Sequence, residues 1–284
     1  MIKDIAIFIK DAQLYNMEVG KYEIKPFSKE RRNISLLLEE GRKKHIIYVI
    51  VEADVTKARE IIKERKRKGD DISFTGWIVK CMAEIMKEEK EFNAIRHGKR
   101  KLIYFEDVDA AIPVERVVAK EARPRAYIIR KANEKSIEEI TKEIRNAQKE
   151  EVEKGTEVIG KLSAFEKFVL KAPYFIQKIL FTIVGRNAFM RKKYMGTTGV
   201  TSIGMTGFDG WLIIIGGHYT TQIGIGGIAK KIVKADGKVE EREFLRFIIG
   251  VDHDIIDGAP LARFASKLID LLENAAFLIN TPPS

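Results

Sequence analysis

The chain has 284 residues, of which 45% are hydrophobic, and it carries a formal net charge of +10 at pH 7. A chain of this length can bury a full core, as one large domain or two small ones. Its single cysteine, Cys81, excludes a disulfide framework and a zinc site built on cysteines, and it suits a reducing compartment. The positive charge indicates a polyanionic partner. Because the sequence has no helix-turn-helix, zinc-finger or aromatic RNA-binding pattern, we do not favour nucleic acid.

The N-terminal region shows no targeting pattern. Residues 1–4 lack the features of a secretory signal, and no uncharged run is long enough to span a bilayer. We therefore expect a cytoplasmic protein. Residues 1–21 are mixed in character, and we interpret them as an N-terminal arm of a single domain that spans residues 1–284.

Hydrophobic periodicity predicts strands and helices in the first half of the chain. Residues 45–54 have the length and β-branched content of a strand, and a charged helix follows to about Lys68. Ser28 is predicted to cap a helix that contains Arg31, and residues 71–75 lead into a largely apolar helix. The remaining predicted elements are strands at residues 102–105, 107–114 and 127–130, a hairpin turn at His97 and Gly98, and a charged helix from Ser136 to about Lys154.

A basic and apolar segment at residues 162–195 interrupts this pattern. It contains one carboxylate, Glu166, against seven Lys and Arg residues, with aromatic and aliphatic residues between them and breaks at Pro173 and Gly185. We favour an insertion that packs against the core or across an oligomer contact, because apolar helical faces are most often buried against protein. The alternative is a basic amphipathic element that lies on a membrane surface.

Glycine-rich strands follow this segment. Residues 211–215 and 222–225 have strand patterns on either side of Gly216, Gly217 and His218. The glycines do not form a phosphate-binding loop, since no Gly-Lys-Ser/Thr motif accompanies them, and in strands they favour close backbone packing. Whether His218 enters a cleft is left open by the sequence.

His253 lies where the last predicted strand ends. The apolar run before it predicts a strand, Asp257 and Gly258 form a turn pair in which Gly258 can take a positive φ, and Pro260 suits the first turn of the next helix. An imidazole at such a position projects from a rigid support into a cleft. We interpret the two histidines in the first half of the chain, His45 and His97, as structural.

The residues around His253 resemble the His-x-x-x-Asp-Gly signature of the dihydrolipoamide acyltransferases, the catalytic cores of 2-oxoacid dehydrogenase complexes. The match includes the aspartate before His253 and the Gly-Ala-x-x-Ala-Arg-Phe continuation from Gly258 to Phe264. Further segments that resemble the family lie at residues 31–35, 92–94, 107–114 and 196–205. The likeness covers about residues 22–155 and 196–275 and lapses over the predicted insertion, residues 156–195.

The resemblance implies an α/β fold of the two-layer α+β kind, shared with chloramphenicol acetyltransferase. In that fold a mixed sheet is flanked by helices, and trimers carry their active sites between subunits. His253 would act as general base on a thiol, and Thr201, with Ser202 as the adjacent alternative, would provide the hydroxyl of the active site. Asp257, beside Gly258, would orient the active-site backbone through Arg31.

The implied reaction moves an acyl group between a coenzyme A thioester and an acceptor, with no metal. The acceptor would be the dihydrolipoyl group of a separate carrier protein or a small molecule, because the chain shows no lipoyl domain and thus no covalently attached lipoate. The excess of Lys and Arg over Asp and Glu would suit the phosphates of coenzyme A. The resemblance does not identify the residues that bind them. We expect a homotrimer, with a larger cage as an open alternative.

Two other interpretations remain open from the sequence. An inactive acyltransferase-like trimer would serve as an assembly scaffold or as a module that binds acyl-coenzyme A. Alternatively, the segment at residues 162–195 would attach the enzyme to a membrane or shape a site for a long acyl chain.

Overall fold

The structure, a computed structural model, describes residues 21–118, 121–149, 168–169, 172–204, 207–214, 216–235 and 237–279. The predicted N-terminal arm up to residue 20 and the first part of the predicted insertion, residues 156–167, lie outside these ranges. The helices are α1 (Lys29–Gly41), α2 (Thr56–Arg67), α3 (Phe74–Glu88), α4 (Ile137–Lys149), α5 (Tyr174–Arg186), α6 (Ala188–Met195) and α7 (Gly258–Glu273), with a 3₁₀ turn at Lys90–Asn93.

The strands are β1 (Ile46–Asp54), β2 (Ala94–His97), β3 (Lys101–Tyr104), β4 (Ala110–Val118), β5 (Glu121–Ile129), β6 (Thr198–Ser202), β7 (Thr221–Ala235) and β8 (Lys238–Asp252). The strand predicted at residues 45–54 and the hairpin at His97 and Gly98 are confirmed. The predicted cap is also confirmed, because the Ser28 hydroxyl accepts a hydrogen bond of 3.2 Å from the Arg31 backbone N–H.

A six-stranded mixed sheet forms the centre of the fold. Its strand order is β1-β8-β7-β6-β4-β5, and β2 and β3 form a separate hairpin. Strand β6 runs parallel to both of its neighbours, β4 and β7, whereas the other adjacent pairs are antiparallel. This register places the ends of β1 and β8 side by side, with Ile46 opposite Asp252.

Helices α2, α3, α4 and α7 cover one face of the sheet. Because side chains alternate along a strand, Ile223 and Phe247 point into this layer and are fully buried there. Helix α3 contributes Trp77 and Met82 to the same core. Cys81 also lies in it, and burial raises the pKa of its thiol, so Cys81 acts as a small buried hydrophobe.

The opposite face of the sheet carries residues 207–214 as an irregular segment, not the strand predicted at residues 211–215. The Tyr48 hydroxyl hydrogen-bonds to the backbone of this segment. A Cβ on Gly224 of β7 would lie only 2.6 Å from the Leu212 carbonyl oxygen. The segment therefore crosses the face of β7 closely and does not pair at a sheet edge. The predicted strand is wrong, whereas the predicted close packing at the glycines is confirmed.

Candidate active site

The backbone of His253 is held between two strands. β8 ends at Asp252, and the His253 N–H donates a hydrogen bond of 2.7 Å to the His45 carbonyl oxygen, just before β1. The imidazole is 45% exposed, and its Nδ1 lies 3.5 Å from Oδ1 of Asp257. The side chain therefore projects to the surface from a fixed strand end, with one ring nitrogen facing a carboxylate.

The carboxylates on both sides of this histidine are paired with cations and a second imidazole. Asp252 accepts a hydrogen bond of 2.6 Å from Nζ of Lys44. Asp254 accepts from Nδ1 of His45 at 2.9 Å and from Nη1 of Arg96 at 2.7 Å. The hydrogen bond from His45 and the charge of Arg96 hold the pKa of the Asp254 carboxyl below its usual value. These contacts fix the turn in which the histidine lies.

His45 makes contacts that the sequence did not indicate. We interpreted it as structural, and its contacts are of that kind: its carbonyl oxygen binds the His253 backbone and its ring binds Asp254. The two positions are separated by more than two hundred residues in the chain. Only the antiparallel register of β1 and β8 brings them together, so no local sequence pattern could have indicated the contact.

Asp257 and Gly258 begin helix α7 and do not form the predicted turn. Asp257 has extended backbone angles, φ −83° and ψ 170°, and no side-chain capping bond. Gly258 is the first helical residue and does not have a positive φ, so that prediction is wrong. Within the described residues, the Asp257 carboxylate pairs with His253 alone, and Arg31 is exposed. The contact of Arg31 with Asp257 stays a prediction.

Most of the threonine hydroxyls at the ends of β6 and β7 form hydrogen bonds within the protein. The four buried ones bind backbone groups; they belong to Thr197, Thr198, Thr220 and Thr221. Ser202 Oγ accepts a 3.3 Å hydrogen bond from the Gly204 N–H. Thr201 differs, because its hydroxyl has no hydrogen-bond partner among the residues that the structure describes. Among the described residues of β6, Thr201 is therefore the one whose hydroxyl makes no hydrogen bond, whereas Ser202 accepts one and keeps its own proton free.

Thr201 lines an open cavity of about 260 Å³. Helix α1 contributes Leu38 and Gly41 to its walls, and β4 contributes Pro113. His218, in the turn before β7, completes this part of the lining. The lining is largely apolar, so the Thr201 hydroxyl has few competing polar groups around it and is available to an oxygen of a bound molecule. In the described parts of the chain, His, Cys, Asp and Glu nowhere form a cluster of three that could hold a metal ion.

His218 thus enters the cavity wall, which settles the point that the sequence left open. Burial, together with the charges of Arg191 and Lys44, lowers the pKa of His218 to about 4. Its Nε2 is buried without a hydrogen-bond partner in the described structure. Burial and the charge of Arg191 also lower the pKa of Lys44 to about 8. Near pH 7 the cavity wall therefore presents the neutral imidazole of His218, next to two buried cations, Lys44 and Arg191.

Thr201 and His253 lie far apart within one protomer. Thr201 is in register with Gly224 of β7, which is in register with Ile248 of β8. His253 therefore lies two strands across the sheet and five residues further along it. At ~3.4 Å per residue and ~4.8 Å per strand, the separation is about 20 Å. One protomer does not bring the two predicted catalytic side chains together.

Comparison with solved structures defines the class of fold. The dihydrolipoamide acetyltransferase of Azotobacter vinelandii superposes with a TM-score of 0.66 at 18% sequence identity, covering 92% of this chain and 95% of that one. Chloramphenicol acetyltransferase superposes with a TM-score of 0.50 at 14% identity, covering 89% and 99%. The predicted fold class, a mixed sheet flanked by helices in the manner of these acyltransferases, is confirmed.

Sequence comparison then gives the family. The model of the catalytic domain of 2-oxoacid dehydrogenase acyltransferases matches residues 19–158 and 190–280, and the chain belongs to this family. A similar protein is the lipoamide acyltransferase component of the branched-chain alpha-keto acid dehydrogenase complex of Bacillus subtilis, 25% identical over 80% of this chain and 46% of that protein. The chain spans about half the length of the curated relatives it matches. The family match omits residues 159–189.

Proposed function

We propose that this protein transfers acyl groups between coenzyme A and an acceptor thiol, at a site that two protomers build together. The observation that carries the proposal is the separation of about 20 Å between Thr201 and His253 in one chain. A general base and an oxyanion donor act on one reacting centre, so both must lie within hydrogen-bond distance of it. In a ring of identical subunits each contact joins two different surfaces. One protomer can therefore supply the base and its neighbour the hydroxyl.

His253 acts as the general base. The thiolate is the reactive form of a thiol with a pKa of ~8.5, so the sulfur must lose its proton as it attacks. The imidazole takes this proton at the nitrogen remote from Asp257, the thiolate forms a bond to the thioester carbonyl carbon, and a tetrahedral intermediate results. Collapse of the intermediate breaks the original carbon–sulfur bond. The imidazolium then returns the proton to the departing thiolate.

Thr201 stabilises the negative oxygen of that intermediate. Its uncommitted hydroxyl in an apolar cavity supports this role, because one such donor is worth roughly 3 kcal/mol to the transition state. In the Azotobacter vinelandii enzyme, a serine, a histidine and the asparagine four residues after it have been investigated for their role in the catalytic mechanism. His253 and Asp257 have the same spacing here.

The partner surface is the sheet face that carries the irregular segment. Large apolar side chains are exposed there, among them Ile50 and Ile213, and a patch of this kind is typical of a subunit contact. We propose a homotrimer on this basis. The acceptor is a dihydrolipoyl group, by analogy with the relatives that are lipoamide acyltransferase components.

Subunit complementation tests the shared site. His253→Ala and Thr201→Val proteins should each lose activity by about a hundredfold or more, and unfolding and refolding them together should yield mixed trimers. About one quarter of the contacts in an equal mixture join an intact histidine to an intact threonine, so about a quarter of wild-type thiol release from acyl-coenzyme A should return. If no activity returns from mixed trimers, the site lies within one protomer. If wild type itself releases no thiol with any carrier or small acceptor, the inactive scaffold is the better account.

A further inference from the structure

We propose that helix α5 attaches the protein to the surface of an anionic membrane. The proposal is independent of the reaction, because it rests on a surface outside both the cavity and the strand end. Three observations support it: an exposed apolar stripe, positive charges alone along the chain segment that carries it, and the absence of this segment from the family pattern.

The apolar stripe consists of Phe175, Ile179 and Ile183. These residues are spaced by four and therefore lie on one face of the helix. They are 65%, 57% and 50% exposed, so none of the residues that the structure describes covers this face. Phe168, which precedes the helix, and Tyr174 at its start are exposed as well. A row of large apolar side chains open to water is unfavourable unless a partner covers it.

The charges that α5 and the residues next to it in the chain carry are all positive, although Glu39 and Glu40 of α1 lie against one flank of the helix. Between Glu166 and Asp209 the sequence contains seven Lys and Arg residues and no Asp or Glu. Lys178 and Arg186 lie on α5 itself and are exposed. Each cation near an anionic leaflet strengthens binding by about fivefold, and its long side chain can reach the headgroups while apolar neighbours enter the interface.

The same charge argues against a second copy of the chain as the partner. The molecule has a net charge of +10, and contact of two α5 faces would bring cations together without a carboxylate on either helix. The family model also passes over residues 159–189, which include the stripe. The stripe is therefore an addition to the domain that the family shares.

Helix α5 is held against α1 along the flank next to the stripe. The Thr182 hydroxyl donates a hydrogen bond of 2.8 Å to Glu40 of α1, and Lys178 lies 3.8 Å from Glu39. The helix has 13 residues, about 20 Å in length. No helix in the described residues is long and apolar enough to cross a membrane. The geometry is therefore that of a helix lying flat in the headgroup region.

Vesicle sedimentation of the full chain tests the proposal. Wild type should bind vesicles that contain phosphatidylglycerol, bind pure phosphatidylcholine vesicles much more weakly, and lose binding as salt increases. Phe175→Ser, Ile179→Ser and Ile183→Ser together should weaken binding at least about tenfold, because each of these side chains would lose most of its apolar burial. Lys178→Gln with Arg186→Gln should weaken it several-fold.

A matched control is available on the β7–β8 hairpin. Ile232 and Val239 are 69% and 71% exposed and lie outside the stripe, so Ile232→Ser with Val239→Ser should bind vesicles as wild type does. Equal sedimentation of wild type and the stripe variant overturns the proposal. The proposal is also overturned if wild type does not bind vesicles and the stripe variant forms a smaller oligomer in light scattering. In that case α5 would be a contact between protein subunits. Thiol release measured without vesicles should be the same for wild type and the stripe variant.

Discussion

The two surfaces that meet in the proposed reaction are held in different ways. The strand end that carries His253 is fixed by charged groups, with Lys44 and Arg96 bound to the carboxylates on either side of the histidine. The cavity that contains Thr201 is largely apolar, and the hydroxyl is positioned by the sheet alone. One surface orients a titratable group, and the other presents an uncommitted donor. Each surface is open, and in the proposed reaction each needs the other from a second protomer.

This contrast has a physical basis. A general base must keep its orientation while its charge changes, so a backbone fixed on both sides by ion pairs serves it. An oxyanion donor works best where water and competing acceptors are excluded, since its interaction with the developing charge is then stronger. Substitutions on the two surfaces should therefore affect turnover strongly and the stability of the fold weakly.

The largest effect is expected from His253→Ala. Loss of the base should lower kcat for coenzyme A thiol release by about 10² to 10⁴. The ring is half-exposed and its one described partner is Asp257 at 3.5 Å, so the fold and the oligomer should persist. Stopped assays with a thiol reagent and light scattering measure both. A rate within tenfold of wild type would show that another group takes the proton.

Thr201→Val should come next, with a loss of about a hundredfold in kcat and little change in KM. The substitution preserves shape and removes one donor worth roughly 3 kcal/mol. Thr201→Ser should retain most of the activity. Ser202→Ala is the matched control, because Ser202 does not line the cavity that contains Thr201 and should not enter the reaction. Equal losses at the two positions would remove the distinction between them.

The cavity wall should also give a measurable pH dependence of stability. The pKa of His218 is about 4 in the folded protein and about 6.5 in an unfolded chain. Between these values the unfolded chain binds a proton that the folded chain does not, so the free energy of unfolding falls as the pH falls. The loss from this residue should be about 2 kcal/mol from about pH 7.5 to about pH 5.

Urea denaturation of wild type and His218→Gln at both pH values measures this loss. The variant lacks the titrating ring. When the pH is lowered, its free energy of unfolding should therefore fall by about 2 kcal/mol less than that of wild type. Protein concentration must be equal in both series, because an oligomer's stability depends on it. Parallel pH profiles for the two proteins would mean that the ring is protonated without cost and is therefore well solvated.

The sequence predicted those parts of the molecule that local pattern controls. The strand at residues 45–54, the Ser28 cap and the placement of His253 after a strand all follow from runs of neighbouring residues. The family resemblance rested mainly on the stretch around His253, with four shorter segments elsewhere, and is confirmed by the match over residues 19–158 and 190–280.

The errors and omissions involve contacts between distant parts of the chain. Residues 211–214 have a strand composition but cross the face of β7, because Gly224 permits the close approach of their backbone. The pairing of His45 with Asp254 depends on strand register, which no local pattern determines. In the same way, the sequence alone could not establish that His218 lines the cavity.

The smallest effect on stability is expected from Gly258→Ala. This substitution tests whether glycine is needed at this position by the fold of the protomer or by a contact with a neighbouring protomer or the substrate. Gly258 is the first residue of α7, its φ is not positive, and a Cβ there would meet nothing within 4 Å in the protomer. Gly258→Ala should therefore leave the free energy of unfolding unchanged or raise it by up to about 1 kcal/mol, since alanine restricts the unfolded chain. Urea denaturation measures this change.

Activity should respond to Gly258→Ala in a different way. If a neighbouring protomer or the substrate approaches the start of α7 closely, the added methyl group will lower thiol release although the fold is not weakened. A destabilisation of more than about 1 kcal/mol would instead show that the backbone itself needs glycine at this position. Unchanged activity and stability would mean that the strand end tolerates a side chain here, and that the contact between protomers lies farther from His253 than the shared site requires.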